Sequence, residues 1–120
     1  MSAATEGSSA MAAEPRETIV GDAIGAAVPR GSGPGAGVVL EASRAKVVAF
    51  AFSPGQELRE HAARHPVLIH GIEGDLELTL PEEVVRLRPG VVVHLAAMVR
   101  HSVAAPRGGR LTVTMLLPRE

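Results

Sequence analysis

Short apolar runs separated by turn residues at intervals of about ten residues fill the chain from position 38 onward. The clearest run lies at 76–80, where three leucines alternate with polar residues, and the same period of two recurs at 110–117. A period of two is typical of a half-buried β-strand. The pattern predicts seven or eight strands, the clearest at 46–53, 66–72, 76–80, 84–87, 91–95, 101–104 and 110–117.

No window of 11 or more residues after position 37 shows sustained helical periodicity. The turns between the predicted strands are rich in glycine and proline, as at Pro54-Gly55 and Pro89-Gly90. Many short strands with such turns predict an all-β fold, either an antiparallel sandwich or a small β-barrel.

The first 37 residues have a different texture, because 23 of them are Ala, Gly, Ser or Pro. Such a segment buries too little apolar surface to offset its loss of conformational entropy. We therefore interpret residues 1–36 as a mostly disordered, flexible tail, with a short edge strand expected at 17–20, and residues 37–120 as the folded domain. The glycine-rich run at 31–37 lacks the Lys-Ser/Thr ending of a phosphate-binding loop and is interpreted as a linker.

Composition removes several classes of protein. The chain has no Cys, which excludes disulfide scaffolds, thiolate zinc sites and cysteine nucleophiles. A net charge of −1 without a basic block argues against nucleic acid as a partner, as does the absence of Trp and Tyr. No apolar run approaches the ~20 residues of a spanning helix, and no signal peptide pattern is present. We expect a cytoplasmic protein with no membrane partner.

All five histidines lie between positions 61 and 101: His61, His65, His70, His94 and His101. Imidazoles on neighbouring strands of a small barrel converge when they point inward, because the inward faces share one lumen. Three or four of them could hold a divalent transition metal. A metal-free pocket lined by histidine and purely structural histidines are the two alternatives.

Two segments carry a more specific pattern. Gly55 is followed after five residues by His61, and Gly74 closes this segment, whereas Gly90 begins a second segment that contains His101. In spacing, turn chemistry and strand order, residues 38–118 resemble the small single-domain cupins with their two motifs. The resemblance implies a double-stranded β-helix, a jelly-roll-like barrel, and members of that family form dimers through edge strands. A homodimer is therefore expected.

The departures from the cupin motifs concern the metal ligands. The resemblance carries over His61 and His101 directly, but Ala63 and Val67 stand where the motif has its second His and its Glu. His65 has the same strand parity as His61 and is the expected third ligand of Zn, Fe, Ni, Cu or Mn. His70 and His94 are further candidates, although their parity is less favourable unless a bulge reverses it.

Two functions follow as hypotheses. The first is a metal-dependent enzyme of oxygenase or lyase/isomerase type, which would act on a small organic molecule at a three-histidine site. The second is a non-catalytic, ligand-binding or sensor-like cupin without bound metal, whose pocket is mainly apolar. In both, a small molecule is the partner, and the expected pocket residues are Val67, Ile69, Met98 and Met115.

Overall fold

The structure is a computed structural model that describes residues 18–118. Within this range it contains strands and no helix, and hence no helix that could span a membrane. The strands are β1 Gly35–Glu41, β2 Ala45–Phe52, β3 Gln56–His61, β4 Val67–Gly74, β5 Leu76–Thr79, β6 Val84–Leu87, β7 Val92–Leu95, β8 His101–Ala105 and β9 Gly109–Leu116. The prediction of an all-β fold is confirmed.

The strands form two antiparallel sheets that face each other. The five-stranded sheet has the order β1-β2-β9-β4-β7, and the four-stranded sheet has the order β3-β8-β5-β6. The chain passes from one sheet to the other at every connection except those between β1 and β2 and between β5 and β6. This repeated crossing interleaves the two halves of the chain, which is the arrangement of a jelly-roll barrel.

The core fills the space between the sheets, and the alternation along each strand decides which side chains enter it. On β4, Val67 and Ile69 are each 1% exposed, whereas Leu68 and His70 are half-buried on the opposite face. Burial of this kind stabilises the folded state by about 25 cal/mol for each Å² of apolar surface that is removed from water. The buried core residues are Phe52, Val67, Ile69, Leu76, Leu78, Leu87, Leu95, Val103, Ala105 and Leu111.

All seven of the clearest predicted strands are present, with ends that differ by one or two residues. The apolar pattern did not predict β3, whose sequence QELREH is mostly polar and exposed. This strand lies at the edge of the four-stranded sheet and, among the described strands, is paired only to β8. Edge strands often carry charged side chains, so the period of two is weak there.

Glycine enables the turns before two of the strands. Gly55, just before β3, has a φ of 88°, and Gly90, before β7, has a φ of 93°. These values lie in the left-handed region, which residues with a Cβ rarely adopt. The two turns predicted at Pro54-Gly55 and Pro89-Gly90 are thus confirmed, and each one directs the chain into a strand that follows a cupin-like motif glycine.

The segment before β1 lies against the outer face of the five-stranded sheet, the face away from the core. Ala27 is 3% exposed and packs against Ala49 and Ala51 of β2. From β9, Nη1 of Arg110 donates hydrogen bonds of 2.8 Å to the carbonyl oxygens of Ile24 and Ala27. These contacts attach residues 24–27 to the central strand of the sheet.

Two expectations concern the N-terminal part of the chain. The strand expected at 17–20 is not formed by residues 18–20, which have no regular secondary structure, and residue 17 lies outside the described residues. β1 begins at Gly35, two residues before the expected start of the domain at 37. Residues 1–17 of the expected tail also lie outside the described range, so the division of the chain into tail and domain stays a prediction.

Candidate functional site

Two histidines meet where β3 pairs with β8. His61 lies opposite His101 in the antiparallel register, and their ring centroids are 4.3 Å apart with the ring planes tilted by 56°. His101 is 4% exposed, whereas His61 is exposed at the mouth of the barrel. We call this the inner histidine pair.

A β-bulge turns His61 toward the side of the strand on which His101 lies. Leu58 packs against the core, and in a regular strand a residue three positions later would face the opposite side. The register with β8 shifts between Leu58 and His61, because Leu58 pairs with Val103 and His61 pairs with His101. The extra residue in β3 reverses the parity of the residues after it, so that His61 faces inward beside His101.

Both rings of the inner pair are held by backbone carbonyl groups two residues earlier. Nδ1 of His61 lies 2.8 Å from the carbonyl oxygen of Arg59, and Nδ1 of His101 lies 3.0 Å from that of Val99. A carbonyl oxygen can only accept, so each Nδ1 carries the proton and donates. In the neutral ring, the other nitrogen, Nε2, is therefore an unprotonated acceptor.

The environment favours the neutral form of His101. Burial among apolar side chains lowers its pKa below the usual 6.5, and a charged His61 lowers it further, while the hydrogen bond to the carbonyl of Val99 raises it in part. No side-chain nitrogen or oxygen in the described residues is sealed from solvent without a hydrogen-bond partner. Nε2 of His101, which has no such partner among these residues, thus keeps accessible surface.

An apolar cavity of about 210 Å³ opens beneath the inner histidine pair. Apart from the two imidazoles, every side chain in the described lining is apolar. The lining residues are Val48, Phe50, His61, Ala63, Val67, His101, Val113 and Met115. Ile69, two residues after Val67 on β4, belongs to the buried core and not to the lining.

His61 also faces a shallower, charged depression at the mouth of the barrel. This outer bowl has a volume of about 380 Å³ and is lined by Glu60, His61, Ala62, Met98 and Arg100. His61 therefore separates a charged entrance from an apolar interior.

The four pocket residues expected from the sequence have three different positions. Val67 and Met115 line the cavity. Ile69 packs in the core, and Met98 lies in the outer bowl, 64% exposed, with a φ of 70°.

Sequence reasoning missed three large side chains of the lining, Val48, Phe50 and Val113. Val48 and Phe50 alternate with alanines on β2, and Val113 shares its face of β9 with Met115. The pairing of Val48 with Val113 across β2 and β9 places them in one layer of the barrel. The alternation on β2 indicates that Val48 and Phe50 share one face of the strand. Only the strand order shows that this face lies beside that of Val113 on β9.

No protein-family model and no curated protein matches the chain. Solved structures match it over most of its length. An RmlC-like cupin from Shewanella frigidimarina is 25% identical, with a TM-score of 0.66 and 87% of each chain covered. An RmlC-like cupin protein from Desulfovibrio desulfuricans is 23% identical, with a TM-score of 0.74, over 83% of this chain and 97% of the other. KdgF from Halomonas sp. is 19% identical, with a TM-score of 0.71, over 88% of this chain and 96% of the other.

The chain has the fold of a small cupin domain. The double-stranded β-helix that the two motifs implied is thereby confirmed. Within this fold, the directly paired residues His61 and His101 are the two positions that the cupin motifs carried over.

The remaining three histidines do not line the cavity. His70 and His94 lie on β4 and β7, which pair regularly, with His70 opposite Val92 and His94 opposite Leu68. Because Val67 and Ile69 face the core, His70 and His94 face outward, as their parity indicated. We call them the outer histidine pair. His65 lies in the loop between β3 and β4.

The structure brings together two of the three histidines predicted to hold a metal ion, His61 and His101. Among residues 18–118, no three His, Asp or Glu side chains lie together in a way that could hold one. Structural and catalytic zinc sites use at least three protein ligands, whereas the inner pair offers two. Val67, at the carboxylate position of the cupin motif, is part of the apolar lining. The set of His61, His65 and His101 therefore stays a prediction, of which the structure brings two members together.

Proposed function

We propose that this cupin domain binds a small, mainly apolar organic molecule in the cavity beneath the inner histidine pair, and that it does so without a resident metal. The observation that supports this proposal is the cavity itself, an apolar volume whose polar side chains are two neighbouring imidazoles. A concave apolar site with a few convergent polar groups is the usual form of a small-molecule site.

The size of the cavity limits the ligand. A cavity of about 150 Å³ lined by apolar side chains accommodates benzene. The volume here is about 210 Å³. A ligand with about six to ten non-hydrogen atoms fits this volume, and a nucleotide does not.

The lining favours binding over catalysis. Among its described residues there is no carboxylate, hydroxyl or amine that could act as a nucleophile or as the partner of a histidine base. Both histidines line the cavity, and in each the nitrogen not used by a backbone carbonyl is the acceptor Nε2. This arrangement orients a ligand but does not by itself supply an acid and a base.

Binding can be tested with phenol and toluene, two molecules of the right size, by following the protein amide resonances in a titration. We expect at least one of them to bind with a Kd of about 1 mM or tighter. Val113→Phe, which fills the cavity, should weaken this binding at least tenfold. Val92→Phe makes the same change on the exposed outer face, where Val92 is 48% exposed, and should leave binding unchanged.

Two further arms sharpen this test. Ala63→Leu fills the same cavity from a loop and replaces Val113→Phe if that variant does not fold. EDTA should not alter the affinity, because the proposed site contains no metal. Binding that EDTA abolishes, or that neither cavity-filling variant weakens, would overturn the proposal.

A further inference from the structure

The polar end of the cavity consists of acceptors alone. Each Nδ1 of the inner histidine pair is already used by a backbone carbonyl, at 2.8 Å for His61 and 3.0 Å for His101. What remains of each neutral ring is the lone pair on Nε2. The other described side chains of the lining, such as Phe50, Ala63 and Met115, offer no N–H or O–H group.

We infer that the ligand of this cavity is an uncharged hydrogen-bond donor, a small apolar molecule with a hydroxyl or arylamine group that donates to Nε2 of the inner histidine pair. This inference rests on the proposed function and specifies the class of ligand. The inference follows from which ring nitrogen the backbone carbonyls occupy, not from the number of histidines.

A purely hydrocarbon ligand is a poor match for this end of the cavity. It would displace water from Nε2 of His101, which is 4% exposed, and would offer nothing in return. A buried acceptor without a partner loses the full free energy of its hydration. Sites built to hydrogen-bond a hydroxyl group therefore reject the analogue that lacks it.

An anionic ligand is also a poor match. A carboxylate inside the cavity would face two lone pairs and no donor, and burial of an unpaired charge is strongly unfavourable. The nearest cationic side chain in the described pockets around the pair is Arg100, which lies in the outer bowl together with Glu60 and not in the cavity lining. The cavity thus selects against negative charge as well as against the absence of a donor.

The two rings are close enough for one ligand to donate a hydrogen bond to each of them. Their centroids are 4.3 Å apart, and they belong to directly paired residues of neighbouring strands. An arylamine has two N–H groups, and a diol has two O–H groups, so either could donate to both Nε2 atoms. A single hydroxyl group would donate to one and leave the other to water at the mouth of the barrel.

The experiment compares phenol, toluene and benzoate at pH 8, where phenol is uncharged. The three share a ring and differ in the group that reaches the histidines. We expect phenol to bind at least tenfold more tightly than toluene, and benzoate to bind more weakly than either. Long-range ¹H–¹⁵N spectra of the imidazoles should show protonated Nδ1 and unprotonated Nε2 in both rings, and phenol should shift the Nε2 resonances.

Variants connect the preference to the named atoms. His101→Leu removes one acceptor and should reduce the affinity for phenol about tenfold, toward that of toluene, without weakening toluene binding. His61→Leu is the second variant if the first does not fold. His94→Leu makes the same change in the outer histidine pair and should leave both affinities unchanged.

Each outcome has a distinct meaning. Equal affinities for phenol and toluene in the native protein, with both weakened by Val113→Phe, would overturn this inference and leave the proposed function standing. Tightest binding of benzoate, or protonated Nε2 atoms at pH 8, would also overturn it. Failure of both phenol and toluene to bind would overturn the inference and the proposed function together.

Discussion

The two histidine pairs of this domain are alike in sequence context and opposite in environment. Each consists of residues on neighbouring antiparallel strands, His61 with His101 on β3 and β8, and His70 with His94 on β4 and β7. The inner pair faces the cavity because β3 contains a bulge, whereas the outer pair faces away from the core because β4 and β7 pair regularly. One extra residue in an edge strand therefore decides which histidines can meet a ligand.

The pairs also differ in how their rings are oriented. Backbone carbonyls hold Nδ1 of both inner histidines. Among the described residues, no side-chain hydrogen bond holds the ring of His70 or His94. An imidazole whose Nδ1 is held by a carbonyl presents a defined atom to its surroundings, whereas a ring without such a bond is free to change its rotamer. Orientation, more than proximity, distinguishes a candidate site from a surface feature.

The largest expected effect separates the two faces of β4. Ile69→Ala should reduce the free energy of unfolding by about 3–4 kcal/mol, because Ile69 is fully buried between the sheets and the substitution leaves a cavity. Leu68→Ala, the adjacent change on the outer face, should cost about 1 kcal/mol, since Leu68 is only partly buried. Urea unfolding followed by circular dichroism measures both. Similar losses for the two variants would contradict the assignment of faces.

A smaller effect separates the two histidine pairs. His101→Asp should reduce the free energy of unfolding at pH 8 by about 2–3 kcal/mol, because the carboxylate would stand at an apolar, nearly inaccessible position. His94→Asp, on the exposed outer face, should change it by less than about 0.5 kcal/mol. The same urea titrations provide the comparison. If His94→Asp were the more destabilising variant, the inward and outward assignments would have to be exchanged.

The smallest effect is a dependence of stability on pH. The pKa of His101 is lowered in the folded protein, mainly by burial, so the unfolded chain binds a proton at higher pH than the folded chain does. Stability is therefore fully present above about pH 6.5 and is lost as the pH falls from there through the lowered pKa of the folded state.

His101→Leu should flatten this part of the stability profile, and His94→Leu should preserve it. Urea midpoints at a series of pH values between about 5 and 8 give the measurement. A native profile that rises as the pH falls below about 6.5 would show that the folded state favours protonated His101, contrary to its burial.

Most strands of the fold could be predicted from the sequence, because their buried residues form a recognisable alternation of apolar and polar positions. Leu76 and Leu78, each 0% exposed, belong to the alternation that predicted β5 most clearly. The edge strand β3 did not show this pattern, since five of its six residues are polar or charged. A strand that is stabilised by pairing with a neighbour, and not by burial, leaves little trace in the order of apolar residues.

The candidate site could be predicted only in part, because it depends on strand register and strand order, which the pattern of apolar residues does not show. The pairing of His61 with His101 agrees with the resemblance to the cupin motifs, but the bulge that turns His61 inward depends on the register between β3 and β8. The tautomers depend on backbone carbonyls whose positions no residue pattern encodes. To predict that Phe50 and Val113 line the same cavity, one must know that β2 and β9 are neighbours. These strands lie near opposite ends of the folded domain in sequence.

The position of β9 in the sheet affects the order in which the strands can pair during synthesis. Among the described strands, β9 joins β2 to β4, and its Arg110 contacts the carbonyl of Ile24 across 86 residues of sequence. Because the ribosome synthesises the chain from its N-terminus, β1 and β2 are made before β9, the central strand of their sheet. Closure of the barrel thus follows the synthesis of β1 to β8, and until then the edge of β2 that β9 will cover stays available to other chains.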